Sequence, residues 1–416
     1  MESCMKRSFF KTAKAVFIAM AVFITGIIPA QAAEEEYNLG VVLAISGAGA
    51  VYSGDGVNAI KLAVEEINAK GGFLGKHKIN LFVKDSQTKP DVAVKEATAL
   101  IKKDKVRTIL GTYSSACSIA IKPVAKENKV LHIAAISNSE NITKVDPSPY
   151  TFAVGPNSYM QAKSVAVGVA KMAKKNGWTK YATIASDYEW GKSTQANFVA
   201  LLKEIAPDIQ LVKEVWPKLG ESKFTSQIAQ LAKAKPDFIY GAVASKDNVK
   251  WLQVAGKAKF FDKFPYPGSL VSVAELQLKS DTIPRGMIGL ARAPFFAHLD
   301  NQMMQDFVKS YKTKYGNYPS DWAVMEYDAV YALKQGIEKA GSIDSEKVKD
   351  VMKGMTIDTA RGSFAFRKID NQLNCPSYLG TIADSADYPF PVYKDTVIVS
   401  GEESWRPEAE IIKARK

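Results

Sequence analysis

Apolar runs alternate with amphipathic segments along the first third of the chain. The runs NLGVVLA (38–44), INLFVKD (79–85), VRTILG (106–111) and VLHIAAIS (130–137) have the length and apolar character of buried strands. Between them, VNAIKLAVEEINAKGG (57–72), PDVAVKEATALIKKD (90–104) and CSIAIKPVAKENK (117–129) repeat their apolar residues at helical spacing. Because strand–helix alternation places helices on both faces of a sheet, the pattern predicts an α/β lobe with a doubly wound parallel sheet.

The same alternation restarts near Gly155. A long amphipathic segment (158–177) follows the run YTFAVG, and three strand–helix pairs lead to the apolar run GMIGLARA (286–293). Further helical segments (301–316, 326–341 and 345–354) precede a strand-rich tail. The chain therefore predicts a second doubly wound lobe. In open parallel sheets ligands bind at the carboxyl ends of the strands, so two facing lobes predict a ligand cleft between them.

The first 32 residues have the pattern of a secretory signal peptide. Four basic residues precede an apolar run (16–28), and PAQAA follows it. The run is shorter than the roughly 20 residues that span a bilayer, and the small residues Ala30 and Ala32 suit signal peptidase. We expect cleavage after Ala32 and export to the periplasm; the alternative is an uncleaved anchor helix.

Composition and charge restrict the possible functions only slightly. The chain is 47% hydrophobic and 24% charged, as ordinary globular proteins are. Its formal net charge is +12, and about +9 remains after residue 32. Because the lysines are scattered among acidic residues, we interpret them as a solvated surface and expect no nucleic-acid partner. Cys117 and Cys375 follow the leader, and the sequence leaves open whether they form a disulfide.

The stretch ISGAGAVYSGDG (45–56) raises the question of a nucleotide site, because it lies between a predicted strand and a predicted helix. Gly47 and Gly49 fit the start of G-x-G-x-x-G, but Tyr52 holds the place of the third glycine, and no lysine follows as in a phosphate-binding loop. We interpret the glycines as allowing a tight turn at the cleft rim, and we expect Tyr52 to line the pocket.

Catalytic and metal-binding patterns are absent from the sequence. None of the three histidines lies near another histidine or a cysteine at metal-ligand spacing. The sequence contains no nucleophile elbow, Walker loop or serine–histidine–acid set. We therefore expect a protein that is not an enzyme and that uses no cofactor and no metal.

Four segments together resemble one family. They are VLAISGAGAVYSGDGVNAIKLAVEEINAKGG (42–72), ILGTYSSACSIAIKPVAKENKVLHIAAISNSENIT (109–143), IASDYEWGKS (184–193) and PDFIYGAVASKDNVKWLQVAGKA (236–258). They resemble, in order, the periplasmic branched-chain amino-acid-binding proteins, which are type I solute receptors of ABC importers. The resemblance implies two lobes joined by three crossovers, near Val154, Ala291 and Thr359. Lobe 1 would comprise 33–154 and 292–358, and lobe 2 would comprise 155–291 and 359–416.

The resemblance also implies polar ligand-binding residues. The family binds a ligand carboxylate at the position of Ser115, which suits the N–H groups and positive dipole end of the helix that begins there. Ser114 is a second candidate, and helix capping is the alternative for both serines. Ile136, by its backbone carbonyl, and Asn138, by its side chain, match positions that hold the ligand's ammonium and carboxylate groups. An Asx turn is the alternative for Asn138.

The remaining implied residues are apolar or aromatic. Tyr52, Trp190 and Tyr240 match or lie near aromatic positions that cover the ligand. At the end of PYPGSL (265–270), where the family's amino-acid receptors have an acidic partner for the ammonium group, this chain has Leu270. A buried ammonium without a carboxylate is costly, so Leu270 argues against an α-amino acid. The alternative acidic partners are Glu275, Asp187 and Glu189.

We therefore expect a monomeric extracytoplasmic receptor of an ABC importer. It would close its lobes on a small carboxylate, a branched-chain or other amino acid by resemblance, and deliver it to a membrane permease. The alternatives are a receptor for an aromatic acid, amide or urea-type ligand, and an exported ligand sensor of the same fold.

Overall fold

The computed structural model describes residues 35–277 and 283–416. The predicted signal peptide and its cleavage site lie outside the described residues. The described strands are β1 (Tyr37–Leu43), β2 (Ile79–Asp85), β3 (Thr108–Gly111), β4 (Leu131–Ala134), β5 (Thr151–Ala153), β6 (Lys180–Ala185), β7 (Gln210–Val215), β8 (Phe238–Ala242), β9 (Ser269–Leu270), β10 (Ile288–Ala291), β11 (Thr356–Thr359), β12 (Gly362–Ala365), β13 (Ser377–Ala383) and β14 (Val392–Val399).

Most of the helices lie between these strands, as the alternation predicts. The described α-helices are α1 (Ala50–Ala69), α2 (Pro90–Lys102), α3 (Ser115–Glu127), α4 (Ser158–Asn176), α5 (Glu189–Ile205), α6 (Thr225–Ala234), α7 (Ser245–Lys257), α8 (Phe260–Lys263), α9 (Val273–Leu276), α10 (Gln302–Tyr315), α11 (Asp321–Ala340), α12 (Ser345–Met352), α13 (Gly401–Ser404) and α14 (Glu408–Ala414). None of these described helices has the length and apolar character that a membrane span requires.

The first sheet is parallel and has the strand order β2-β1-β3-β4-β5. Val42 and Ile109 belong to an apolar cluster with α2 and α3, whereas Val41 and Leu110 belong to the cluster that includes α1 and α11. Helices therefore cover both faces, as expected for a doubly wound sheet. The strand order reverses between β1 and β3, and ligands bind at such a switch point, outside the carboxyl ends of the strands.

The second half of the chain forms a parallel sheet and a mixed sheet. Strands β7-β6-β8 are parallel, and the neighbouring sheet has the order β14-β13-β10-β9. In that sheet β9 is parallel to β10, but β13 and β14 pair antiparallel. The Gly241 N–H donates a hydrogen bond to Ser269 Oγ (3.0 Å), which links β8 to β9. The strand-rich tail supplies β13 and β14, which pair as an antiparallel hairpin beside β10.

Residues 360–372 contact elements of the predicted lobe 1. The Ala360 N–H and Arg361 Nε donate to the two carboxylate oxygens of Asp328 on α11 (2.8 Å each), and the Arg361–Asp328 ion pair is fully buried. Phe366 packs edge-on against Phe152 of β5, with ring centroids 5.2 Å apart. We therefore propose that the third crossover lies near 373–376, just before β13, and not near Thr359. The other lobe boundaries stay predictions.

The glycine-rich stretch 45–56 differs from its predicted form. Helix α1 begins at Ala50, so Gly54 and Gly56 lie inside the helix and not in a turn before it. Gly47 does adopt a left-handed conformation (φ +84°), as a tight turn requires. A side chain at Gly49 would lie 2.2 Å from the ring of Tyr113, so only glycine leaves room for that ring.

Candidate ligand-binding site

A small cavity lies at the carboxyl ends of strands from the first sheet and from the two sheets of the second half. Residues that follow β1, β3 and β4 face residues that follow β6, β8 and β10. The lining residues are Tyr52, Tyr113, Ser115, Ile136 and Asn138 from the first sheet's side, Tyr188, Trp190, Ala244 and Leu270 from the second, and Arg292 and Trp322 from the segment after β10 and from α11. The cavity is therefore where the doubly wound pattern predicts ligand binding.

Four of these side chains form a continuous stack. The rings of Tyr52 and Trp322 lie 4.6 Å apart at an interplanar angle of 27°. The Arg292 guanidinium lies 4.8 Å from the centroid of Trp322 and 5.3 Å from that of Trp190. Cation–π attraction of this kind is stronger when the cation is desolvated, and Arg292 is buried. The guanidinium therefore contacts the rings of both indoles within the cavity.

Within the described part of the chain, the Arg292 guanidinium donates to polar groups but to no carboxylate. Its Nε donates to Gln161 Oε1 (3.0 Å), and Nη1 donates to the Ile136 carbonyl oxygen (3.2 Å). Asp321 is close to Arg292 in the structure, but its carboxylate accepts backbone N–H groups of Arg292, Ala293 and Val273. Burial lowers the pKa of Arg292 to about 10, so the side chain stays charged at neutral pH.

Ser115 holds the loop after β4 in place. As the first residue of α3, it accepts hydrogen bonds at Oγ from the N–H groups of Asn138 (3.2 Å) and Ser139 (3.0 Å). No acceptor for the Ser115 hydroxyl proton is present among the described residues, so this proton can be donated into the cavity. The Asn138 side chain donates to the Pro156 carbonyl oxygen (2.7 Å) and so orders the same loop.

Two tyrosines supply further hydroxyl groups. Tyr113 lies over Gly49, and Tyr188 precedes α5. Burial raises the pKa of Tyr113 to about 12 and that of Tyr188 well above its ordinary value, so both hydroxyls are protonated at neutral pH. Each can donate or accept a hydrogen bond with a ligand.

The acidic side chains around the cavity are engaged elsewhere. Glu275 accepts hydrogen bonds from the Tyr52 hydroxyl, from Asn248 Nδ2 (3.2 Å), and from the backbone and side chain of Ser272, with which it forms a capping box. Glu189 accepts from Ser139 and Asn141. The described residues that line the cavity therefore include one permanent cation, Arg292, and no carboxylate.

The structure brings together six of the eight residues predicted from the sequence. Tyr52, Ser115, Ile136, Asn138, Trp190 and Leu270 line the cavity, and Ser114 and Tyr240 do not. Ser114 is the N-cap residue of α3 and makes no side-chain capping bond. Tyr240 stacks on Phe198 with ring centroids 3.8 Å apart, inside the core of the second half.

The residues predicted from the sequence omit five that line the cavity, among them Arg292, Trp322 and Tyr113. Arg292 interrupts the apolar run GMIGLARAPFF, and a charge at the end of a predicted strand was a usable signal. Trp322 lies in the first turn of α11, and Tyr113 directly precedes the serine turn. Their ring contacts are with residues distant in the chain, so local pattern did not distinguish them from core residues.

Cys117 and Cys375 are both buried free thiols. This answers the question that the sequence left open about a disulfide. Within residues 35–277 and 283–416, no group of three or more histidine, cysteine, aspartate or glutamate side chains is placed to hold a metal ion.

The fold and the cavity define a solute-binding protein of the two-lobed periplasmic class, and comparison with known proteins identifies the family. A family model for periplasmic binding proteins matches residues 36–387, so the chain belongs to the periplasmic binding protein family. The family consists of solute receptors for transporters and not of enzymes. Its members work in the periplasm.

Individual relatives are distant but cover most of the chain. The Leu/Ile/Val-binding protein homolog 7 of Brucella suis biovar 1 (strain 1330) is 25% identical over 368 residues, which are 84% of this chain and 88% of the relative. A crystal structure of a periplasmic binding protein from Burkholderia mallei has a TM-score of 0.79 at 22% identity and covers 90% of this chain and 98% of its own.

A third relative was crystallised with a ligand. This solute-binding protein of an ABC transporter from Rhodopseudomonas palustris BisB5, in complex with 3,4-dihydroxybenzoic acid, has a TM-score of 0.77 at 23% identity and covers 88% of this chain and 98% of its own. At this identity the two structures establish the shared fold only. Together with the family match, they confirm the predicted type I periplasmic binding protein fold.

Proposed function

We propose that the protein binds a small carboxylate between its two lobes and delivers it to the membrane permease of an ABC importer. The observation that carries this proposal is a cavity lined from both predicted lobes around a buried arginine. Ligand contact with both lobes favours the closed form over the open one, and this difference drives closure. The family's role in transport supports delivery to a permease.

Two ligand classes have support from relatives. The Leu/Ile/Val-binding homologue favours a branched-chain amino acid, and the 3,4-dihydroxybenzoic acid complex favours an aromatic acid. The cavity favours the second class, because aromatic faces and tyrosine hydroxyls suit a ring with polar substituents, and Leu270 supplies an apolar wall. An amide or urea-type ligand would leave Arg292 without an anion.

A thermal-shift screen against amino acids, aromatic acids, amides and urea tests the proposal. A ligand at a hundred times its dissociation constant should add about 2.7 kcal/mol of stability. Small-angle scattering should show compaction with the same compounds. Trp190→Ala should reduce both responses, whereas Trp216→Ala, which removes a partly exposed tryptophan outside the cavity, should keep them. A wild-type protein that responds to no compound, or equal responses of the two variants, would contradict the proposal.

Delivery needs a separate experiment in cells. Deleting the gene should abolish uptake of the radiolabelled ligand, and the wild-type gene should restore it. Uptake that continues after deletion, together with a lost transcriptional response to the ligand, would favour the sensor role instead.

A further inference from the structure

We infer that the ligand is a carboxylate without an ammonium group. In this protein the Arg292 guanidinium already occupies the position in the cavity that a ligand's ammonium group would need. The inference rests on the proposed function, because it names the class of ligand for the same cavity.

The groups that would bind an ammonium are already bound to Arg292. The Ile136 carbonyl oxygen, predicted to accept from a ligand ammonium, accepts from Arg292 Nη1 at 3.2 Å. The faces of Trp190 and Trp322, which would attract a cation, lie 5.3 and 4.8 Å from the same guanidinium. A second cation placed here would meet a like charge in a desolvated site.

Among residues 35–277 and 283–416, no carboxylate lines the cavity to pair with an ammonium group. Glu275 already accepts hydrogen bonds from Tyr52, Asn248 and Ser272. Glu189 already accepts hydrogen bonds from Ser139 and Asn141. Asp247 accepts the Gly220 N–H at 2.6 Å and does not line the cavity. A buried ammonium would therefore be unpaired, which is strongly unfavourable.

The hydrogen-bond donors around the cavity favour an anionic ligand. Arg292 is 3% exposed, uses two of its five N–H groups, and makes no ion pair within the described part of the chain. The indole N–H groups of Trp190 and Trp322 are also buried without a partner among the described residues. The remaining N–H groups of a guanidinium match the two oxygens of a carboxylate, so a carboxylate satisfies the donors and the charge together.

Matched pairs of probes test the ammonium half of the inference on the wild-type protein. Leucine and 4-methylpentanoate differ only in the α-ammonium group, and so do phenylalanine and 3-phenylpropanoate. By titration calorimetry, at least one amine-free acid should bind at least tenfold more tightly than its amino acid. Amino acids that bind as tightly as their partners, or more tightly, would overturn the inference.

A neutral probe and two variants test the role of Arg292. The wild type should bind 3-phenylpropanoate at least tenfold more tightly than 3-phenylpropanamide. Arg292→Gln should lose this preference. Arg107→Gln should keep it, because Arg107 lies away from the cavity and pairs with Glu35. A preference that survives in Arg292→Gln would overturn the assignment. If that variant does not fold, the ratio of the dissociation constants of the amide and the acid for the wild-type protein still decides whether the site requires an anion.

The outcomes also separate this inference from the proposed function. A wild-type protein that binds amides or urea but no carboxylate overturns the inference and leaves a receptor of another specificity. A protein that binds no compound of either panel contradicts the proposed function as well.

Discussion

The hydroxyl group of Tyr52, in the first turn of α1, donates a hydrogen bond to the carboxylate of Glu275 on α9. The two residues belong to different predicted lobes, and both side chains are buried. Ser272 and Asn248 hold the carboxylate in place. Because the bond needs α1 and α9 to lie together, we expect it to form only when the two predicted lobes are closed, as the proposed function requires.

Replacing Tyr52 by phenylalanine should therefore weaken closure. The ring can keep its stacking on Trp322, so the change removes the hydroxyl and little else. Burial raises the pKa of Glu275 well above its ordinary value, which disfavours the charged form. We therefore expect the contribution of an ordinary hydrogen bond, about 0.5–1.5 kcal/mol, and a fall in ligand affinity of roughly two- to tenfold. Calorimetry and small-angle scattering with saturating ligand would measure the loss.

A tyrosine–glutamate bond within predicted lobe 1 provides the control. The Tyr331 hydroxyl on α11 donates to Glu66 Oε2 on α1 at 2.8 Å. Tyr331→Phe removes a similar bond without affecting the contact between lobes, so it should leave ligand affinity unchanged. Equal affinities for the two variants would show that the Tyr52 bond does not contribute to closure.

Ser115→Ala should weaken ligand binding by about 1–3 kcal/mol, because it removes a hydrogen-bond donor to a charged group. It also removes the acceptor for the N–H groups of Asn138 and Ser139, so the loop after β4 should lose order. Calorimetry with the ligand identified in the screen would measure the affinity. Ser114→Ala is the matched control, since the Ser114 side chain makes no capping bond to α3 and does not line the cavity. Similar losses in both variants would remove Ser115 from the site.

Residues fixed by local pattern were predictable from the sequence. Ser115 and Trp190 each follow a strand and begin a helix, so the alternation of elements places them at the cleft. Arg292 was not predictable in this way. Its hydrogen-bond partners Gln161 and Ile136 are 131 and 156 residues away in the chain, and only the folded structure brings them together.

The same reason explains two differences in the fold. Glycine is unfavourable inside a helix, yet Gly56 lies within α1, where the side chain of Glu326, distant in sequence, packs against it. The tail was predicted to be strand-rich, but the antiparallel pairing of β13 with β10 depends on contacts across about 90 residues. Long-range packing decided both features.

Tyr188→Phe and Tyr240→Phe should affect binding differently. Tyr188 lines the cavity, so loss of its hydroxyl should lower affinity for a ligand with a polar ring substituent by about 1 kcal/mol. Tyr240 stacks on Phe198 away from the cavity, so its variant should bind like the wild type. The sequence predicted Tyr240 as a site residue, and a loss of affinity in Tyr240→Phe, measured by calorimetry, would support that prediction against the structural placement.

Glu326 should make stability depend on pH. It is buried on α11, and both carboxylate oxygens lack a hydrogen-bond partner among the described residues. Burial raises its pKa from 4.5 to about 8. Between these values the unfolded chain has lost the proton and the folded chain retains it, so the contribution of Glu326 to stability falls as the pH rises through this window. At about 1.4 kcal/mol for each pKa unit, the loss amounts to a few kcal/mol.

Glu326→Gln removes this titration and should be more stable than the wild type at high pH. Urea unfolding at pH 5 and pH 9 would measure the difference, which should be larger at pH 9 by a few kcal/mol, because the buried glutamine carries no charge at either pH. Glu338→Gln provides the control on the same helix, since Glu338 is exposed and its ion pair with Lys334 contributes little. The variant and the wild type could instead differ in stability by the same amount at both pH values. Glu326 would then not titrate in this window, which would mean that its carboxylate has a hydrogen-bond or ion-pair partner in the folded protein.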